Sequence, residues 1–405
     1  MNKSGKVLYR VVSYVYRYIF TRSMIKVKPC TIPSSLADHK HCSPEYLSTD
    51  ISAVSSDIMP FQPAIASMSL GRAWVHGLEN KLHEAAKAGF RGIEIFYEDL
   101  EYFAKEISNI ASDATTPSAT QLIQAATRIR SICSQHNLEI IGLQPFLFYE
   151  GLLDREQQAK LIEKLYLWLD VADALGTDTV QIPSNFLPTD QLTGDMNIIV
   201  KDLVEVADIG SSRPRPIRFA YENLCWGTHV DTWEAAWEVV RRVDRANFGI
   251  CLDTFNIAGR VWADPSRPDG KVEDGDRKLR ESLAAMVRTV NVAKVFYIQL
   301  VDAERLDAPL GRDHAYHVEG QPARMSWSRN ARCFMGEGER GAYLPVWEVA
   351  EAIVHGLGYR GFVSMELFSR TMTDPDPSVP HEHARRGMVS WRKVREGLRM
   401  EESST

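Results

Sequence analysis

No acidic residue precedes Asp38, no two cysteines form a C-x-x-C pair, and no run reaches 18 apolar residues. The last absence leaves no segment long enough for a transmembrane helix. Six scattered cysteines (Cys30, Cys42, Cys133, Cys225, Cys251, Cys333) in a chain of 405 residues read as reduced thiols of an intracellular protein. A Gly-rich phosphate loop is also missing, which weighs against a nucleotide-binding open sheet. The net charge of −6 argues against a bulk electrostatic nucleic-acid binder. What remains is the profile of a globular enzyme, with 44% hydrophobic and 25% charged residues.

The chain divides at residue 59. In VLYRVVSYVYRYIFTRSMIKVK, basic residues mix with β-branched and aromatic ones. Residues 1–59 read as a poorly ordered extension, of which 33–59, rich in Ser, Asp and Pro, is a linker. An acid-poor, arginine-containing start also fits an organelle presequence, against a cytoplasmic location otherwise.

From Ala64 onward strands and helices alternate. The expected strands are 64–70, 92–97, 139–146, 179–185, 217–224, 248–255, 295–303 and 361–368. The expected helices are 80–89, 98–109, 121–136, 155–176, 189–208, 231–243, 274–290, 345–356 and 381–398. Eight strand–helix units over residues 60–400 predict an α/β fold, a closed (β/α)₈ TIM barrel, ahead of an open doubly wound sheet. Two connections, 256–273 and 304–343, read as long loops on the face where barrel active sites occur.

Four strand patterns in succession end in an oxygen-bearing side chain: Glu222 in IRFAYENL, Asp253 in FGICLDTF, Gln299 in VFYIQLVDA and Glu366 in GFVSMELF. Three carboxylates and an amide at one barrel end would repel one another unless a cation joins them. An all-oxygen set favours a divalent metal cation such as Mg²⁺, Mn²⁺ or Co²⁺. His229, just beyond the fifth strand, is the candidate proton carrier, because histidine titrates near neutral pH. Asn256 and Glu94 are further candidate catalytic residues, through contacts to substrate hydroxyls. In the second long connection, Arg329 and Arg332 suit a substrate carboxylate, with Ser328 and His317 beside them. Nearby aromatics, among them Phe146, Phe255, Trp327 and Phe368, would line a pocket for a small ring.

The runs YENLCWGTHVDTWEAAWEVV, FGICLDTFNIAG, YIQLVDA, RMSWSRNAR and VSMELFSRTMTDPDPSVPHEHARRG resemble the 3-dehydroshikimate dehydratases of fungal quinate catabolism. IASMSLGR, GFRGIEIFYEDL and LQPFLFYEGL fit the same family, and the likeness covers about residues 60–398. The resemblance implies a xylose-isomerase-like barrel and a metal held by Glu222, Asp253, Gln299 and Glu366. It implies loss of water from a small cyclic acid to give protocatechuate, with no nucleic-acid or membrane partner. It departs from the bacterial pattern at Asn256, where those relatives carry a histidine, and near Leu147, where they carry an arginine. The second domain of some bacterial members is expected to be absent. A sugar isomerase or epimerase on the same scaffold is the competing reading. Oligomeric state is not legible.

Overall fold

The computed structural model describes residues 60–111 and 116–400. Residues 1–59, read above as a poorly ordered extension or a presequence, lie outside the described residues, as do residues 112–115.

Eight parallel strands close into a barrel. They are β1 (Gln62–Ala66), β2 (Gly92–Phe96), β3 (Glu139–Gln144), β4 (Thr179–Pro183), β5 (Arg218–Glu222), β6 (Phe248–Asp253), β7 (Val295–Leu300) and β8 (Phe362–Met365). Each strand pairs with its sequence neighbours, and β1 closes the ring on β8, with Ala64 opposite Ser364. All eight expected strands are present, each somewhat shorter than its apolar run. The first run is cut at Ala66 because Ser67–Leu70 turns as a short 3₁₀ helix.

The outer ring is α1 (Leu78–Ala88), α2 (Tyr97–Ile107), α3 (Ala119–Gln135), α4 (Arg155–Leu175), α5 (Met196–Ser211), α6 (Trp233–Val243), α7 (Thr254–Val261), α8 (Gly275–Thr289), α9 (Ala323–Ala331), α10 (Val346–Glu351) and α11 (Val379–Gly397). Local chemistry sets their ends. Ser118 caps α3 through a reciprocal box with Gln121, and Gly176 closes α4 in the left-handed conformation. Helix α5 starts at Met196, later than expected, because Asp195 caps it by accepting from the Asn197 N–H.

Two expected loops are structured. The first begins as α7, whose N-cap is Asp253. The second contains α9, and its Asp302–Ala303 pairs antiparallel with Arg332–Cys333. Both corrections have one cause: capping and short-range pairing leave little trace in hydrophobic periodicity.

The period of two along each strand places the site. Ala64, Ala220, Cys251 and Tyr297, with Ile141, form a buried cluster on the inner face. Two residues further along β5, β6 and β7 come Glu222, Asp253 and Gln299, on the same face. The barrel interior is therefore an apolar floor under a polar layer. The β6–β7 register sets Asp253 opposite Gln299, and the β7–β8 register sets Gln299 opposite Ser364, so the layer is level.

A buried ion pair fixes the segment after β1. Lys81 of α1 bonds Asp99 of α2, with their side chains 0% and 1% exposed, and also donates to the Gly71 carbonyl. Ser67 donates to the same aspartate at 2.6 Å. Gly71 has φ +130°, and a Cβ there would sit 2.3 Å from the His76 ring. Replacing Lys81 with Met leaves a buried aspartate charge unpaired. Lys81→Met is expected to cost about 3–5 kcal/mol in stability, read from the denaturant midpoint. A loss below about 1 kcal/mol would show that water compensates Asp99.

Candidate active site

Glu222, Asp253 and Glu366 converge at the C-terminal end of the barrel. One ligand oxygen from each lies within 4.8 Å of the others, and all three are buried. Asp253 holds one oxygen on the Asn256 N–H at 3.0 Å, as the cap of α7. Its other oxygen accepts from Arg332 Nη1 at 2.9 Å. The same Nη1 bonds Glu366 at 2.8 Å. Glu222 is held from both sides, by Asn256 Nδ2 at 2.8 Å and Gln181 Nε2 at 2.8 Å.

The electrostatics follow from crowding in a dry interior. Burial raises the Glu222 carboxyl well above its ordinary value, and the charges of Glu366 and Asp253 push in the same direction. Burial takes Glu366 up to about 8, against the pull of Arg332. Glu94 is raised by burial too, although hydrogen bonds from Ser364 and Gln299 oppose it. Against these four acids, Arg332 is the cation seated among them. It is 2% exposed, and its guanidinium carbon lies 4.2 Å from the Phe255 ring centroid and 5.0 Å from that of Phe368. The donor set, three hard carboxylate oxygens with surplus negative charge, fits a divalent cation.

The expected site residues separate into groups. Gln299 joins the cluster, but as a donor. Its Nε2 lies 3.1 Å from Glu366 and 3.2 Å from Glu94, while its oxygen faces Cys251 Sγ at 3.5 Å. Glu94 lies in the same layer, accepting from Gln144 at 2.7 Å and from Ser364. Asn256 is fully buried and used at both ends, since its oxygen accepts the Cys225 N–H at 3.0 Å. Both residues brace the carboxylates, because a buried amide or carboxylate must satisfy all its polar atoms.

The second connection differs from the expectation of an open, arginine-bearing loop. Arg332 is a core residue whose Nη1 is committed to Asp253 and Glu366. Ser328 orients it, accepting from Nε at 3.0 Å. Arg329, on α9, donates to Gln321 at 2.8 Å. His317 lies 3.4 Å from Glu319 in a local turn and reaches no cluster residue. His229 is exposed at the outer rim, against Gly194 of the β4–α5 connection, and bonds none of the four acids. Among the aromatics, Phe255 and Phe368 flank Arg332, whereas Trp327 is buried packing against Phe255 and Tyr343.

A cavity of about 330 Å³ opens at the other end of the barrel, lined by Glu139, Thr179, Arg218, Phe296 and Phe362. It lies among the strand N-termini, opposite the barrel face where active sites are built, and none of the clustered acids lines it.

The sequence profile of the xylose isomerase-like TIM barrel family matches residues 82–393. The chain belongs to that family. A 3-dehydroshikimate dehydratase of Neurospora crassa is 52% identical over 343 residues, covering 84% of this chain and 96% of the relative. One from Pseudomonas aeruginosa is 31% identical over 310 residues, covering 76% of this chain but 38% of that longer protein. Among solved structures, a xylose isomerase-like TIM barrel/4-hydroxyphenylpyruvate dioxygenase fusion protein superimposes with TM-score 0.62 at 26% identity, over 84% of this chain and 44% of that one.

Within this xylose isomerase-like barrel, Gln144, Gln181 and Ser364 complete the polar layer and were not singled out from sequence. Their signal was available. Each sits at an inward position of its strand, where an apolar residue would be the default. Asn256 should matter through Glu222. Asn256→Ala is expected to weaken Mn²⁺ or Co²⁺ binding by about 10–100-fold without unfolding the barrel. Equilibrium metal titration checks this; unchanged affinity would mean that Gln181 alone holds the carboxylate.

Proposed function

We infer that this chain is a 3-dehydroshikimate dehydratase, a lyase that removes water from 3-dehydroshikimate to give protocatechuate. The observation that carries the reading is 52% identity to the Neurospora crassa dehydratase across 96% of that protein's length. The buried carboxylate cluster gives it a chemical basis.

The substrate is a cyclic enone with a carboxylate and ring hydroxyls. Dehydration needs a proton removed α to the ketone, then departure of the β-hydroxyl with a proton. Tautomerisation of the product to a catechol makes the sequence irreversible in practice. Glu222, Asp253 and Glu366, with Gln299 adjacent, would hold a divalent cation. When bound, such an ion supplies Lewis acidity for the charge that develops on the ketone oxygen.

The chain's own residues do the rest. Gln181 and Asn256 fix Glu222, and Glu94 fixes Gln299, so the layer is organised before substrate arrives. Phe255 and Phe368 present aromatic faces beside the cluster and exclude water from a planar ring. Arg332 supplies positive charge there, oriented by Ser328. Glu94 and Asn256 are fully engaged as braces, which leaves proton transfer to a residue free to meet the ligand. His229 is exposed, lies beyond the Glu222 strand and makes no bond to the cluster, and we assign it that role.

Purified protein incubated with 3-dehydroshikimate should produce protocatechuate, followed by its absorbance. Chelation with EDTA should abolish turnover, and Mg²⁺, Mn²⁺ or Co²⁺ should restore it. Glu366→Ala should lower kcat by about a thousandfold or more while the fold is retained. Full turnover in metal-stripped protein would sink the metal assignment.

His229→Asn is expected to lower kcat about a hundredfold, with metal affinity unchanged. A variant that keeps wild-type kcat would remove His229 from the mechanism.

A further inference from the structure

Every oxygen of the three clustered carboxylates accepts a hydrogen bond from the protein. Glu222 takes Asn256 Nδ2 on one oxygen and Gln181 Nε2 on the other. Asp253 takes the Asn256 N–H on Oδ1 at 3.0 Å and Arg332 Nη1 on Oδ2 at 2.9 Å. Glu366 takes Gln299 Nε2 on Oε1 at 3.1 Å and Arg332 Nη1 on Oε2 at 2.8 Å. The neutral donors of Asn256, Gln181 and Gln299 supply four of these bonds, and Arg332 Nη1 supplies the other two. A neutral donor uses one lone pair of an oxygen and leaves the other for a cation. The guanidinium also brings positive charge to the place where an ion bridging Asp253 and Glu366 would gain most.

The guanidinium has a seat of its own beside the carboxylates. Its carbon lies 4.2 Å from the Phe255 ring centroid and 5.0 Å from that of Phe368, so two aromatic rings attract the cation independently of any acid. Its Nε donates to Ser328 Oγ, four residues earlier on α9, at 3.0 Å. The backbone is fixed as well. The Arg332 N–H donates to the Phe368 carbonyl at 3.0 Å, and Arg332 pairs with Ala303 across the short antiparallel ladder. None of these ties needs a carboxylate. Nη1 alone reaches Asp253 and Glu366, and it is the group a divalent ion would meet.

We propose that Arg332 is an internal competitor for the metal: its guanidinium holds Asp253 and Glu366 against the divalent ion and so sets how tightly the barrel binds that ion. The proposal rests on the divalent-cation reading of the cluster. Two cations drawing on the same two carboxylates oppose each other, and in a buried layer salt screens that opposition little. The charge of the ligand set tunes the affinity of an oxygen site, and Arg332 cancels part of that charge. A shift of Nη1 toward the faces of Phe255 and Phe368 would release both oxygens without unseating the side chain. Asn256 acts in the opposite sense. It braces Glu222 without adding charge, so its loss weakens binding of the ion, whereas loss of the Arg332 charge strengthens it.

The test separates charge from hydrogen bonding. Mn²⁺ is titrated calorimetrically into the full chain as wild type, Arg332→Gln and Arg332→Lys, with thermal melts to check that each is folded. Glutamine keeps a donor and removes the charge, whereas lysine keeps the charge. Arg332→Gln is expected to bind Mn²⁺ about tenfold or more tighter than wild type, and Arg332→Lys to stay within about threefold of it. A second measurement uses the wild type, and so holds even if the glutamine variant does not fold. With isotope-labelled arginine, the Arg332 side-chain resonance, assigned by its loss in Arg332→Lys, should shift and saturate as Mg²⁺ binds. Mn²⁺ binding in Arg332→Gln that equals or falls below that of wild type overturns the proposal and leaves the metal reading standing. So does an Arg332 resonance that stays fixed while Mg²⁺ binds. Binding by neither wild type nor Arg332→Gln overturns both the metal reading and the proposal. A wild type that binds Mn²⁺ more weakly than Arg332→Gln but fails to convert 3-dehydroshikimate overturns the dehydratase reading alone.

Discussion

Four acids share one dry layer of the barrel with one arginine, and the rest of the site is arranged around that imbalance. Glu94, Glu222, Asp253 and Glu366 are each at most 3% exposed. Arg332 Nη1 bridges Asp253 and Glu366 and offsets part of the repulsion. Without further cations, burial first and the remaining repulsion second raise the Glu222 and Glu366 carboxyls and favour protonation. A divalent ion would remove that cost, which is the physical reason the cluster reads as a metal centre rather than as structural ion pairing.

The neutral members of the layer make such a centre tolerable. Gln144 and Ser364 donate to Glu94, Gln181 and Asn256 to Glu222, and Gln299 to Glu366, so these carboxylates are bonded within the layer. The apolar floor beneath keeps the dielectric low. Both features strengthen interactions with charge that develops on a bound substrate. The mouth continues outward with aromatic rings at Phe255 and Phe368, which flank Arg332.

Much of this was legible in the chain. Alternating apolar runs and helical spacings placed all eight barrel strands, because burial on both faces makes each run continuous. Glu222, Asp253 and Glu366 were legible for the same reason, since a carboxylate at the end of a buried strand breaks the pattern visibly. Helix α9 was not, because a short helix within a polar connection carries little periodicity and is held by tertiary packing.

The sequence by itself determined the architecture, the height of the polar layer and the identity of its acids. A period of two and a fixed strand length decide which side chains share the inner face. Only the tertiary structure decided the partners. It turned Gln299 into a donor, brought Arg332 from a presumed loop into the core, and put His229 on the rim. It also brought Arg72, which follows β1, to 6.0 Å from the ring of Phe368, which follows β8. Charge pairing across the barrel mouth depends on closure of the sheet, which brings β1 to β8, and no local pattern records that closure.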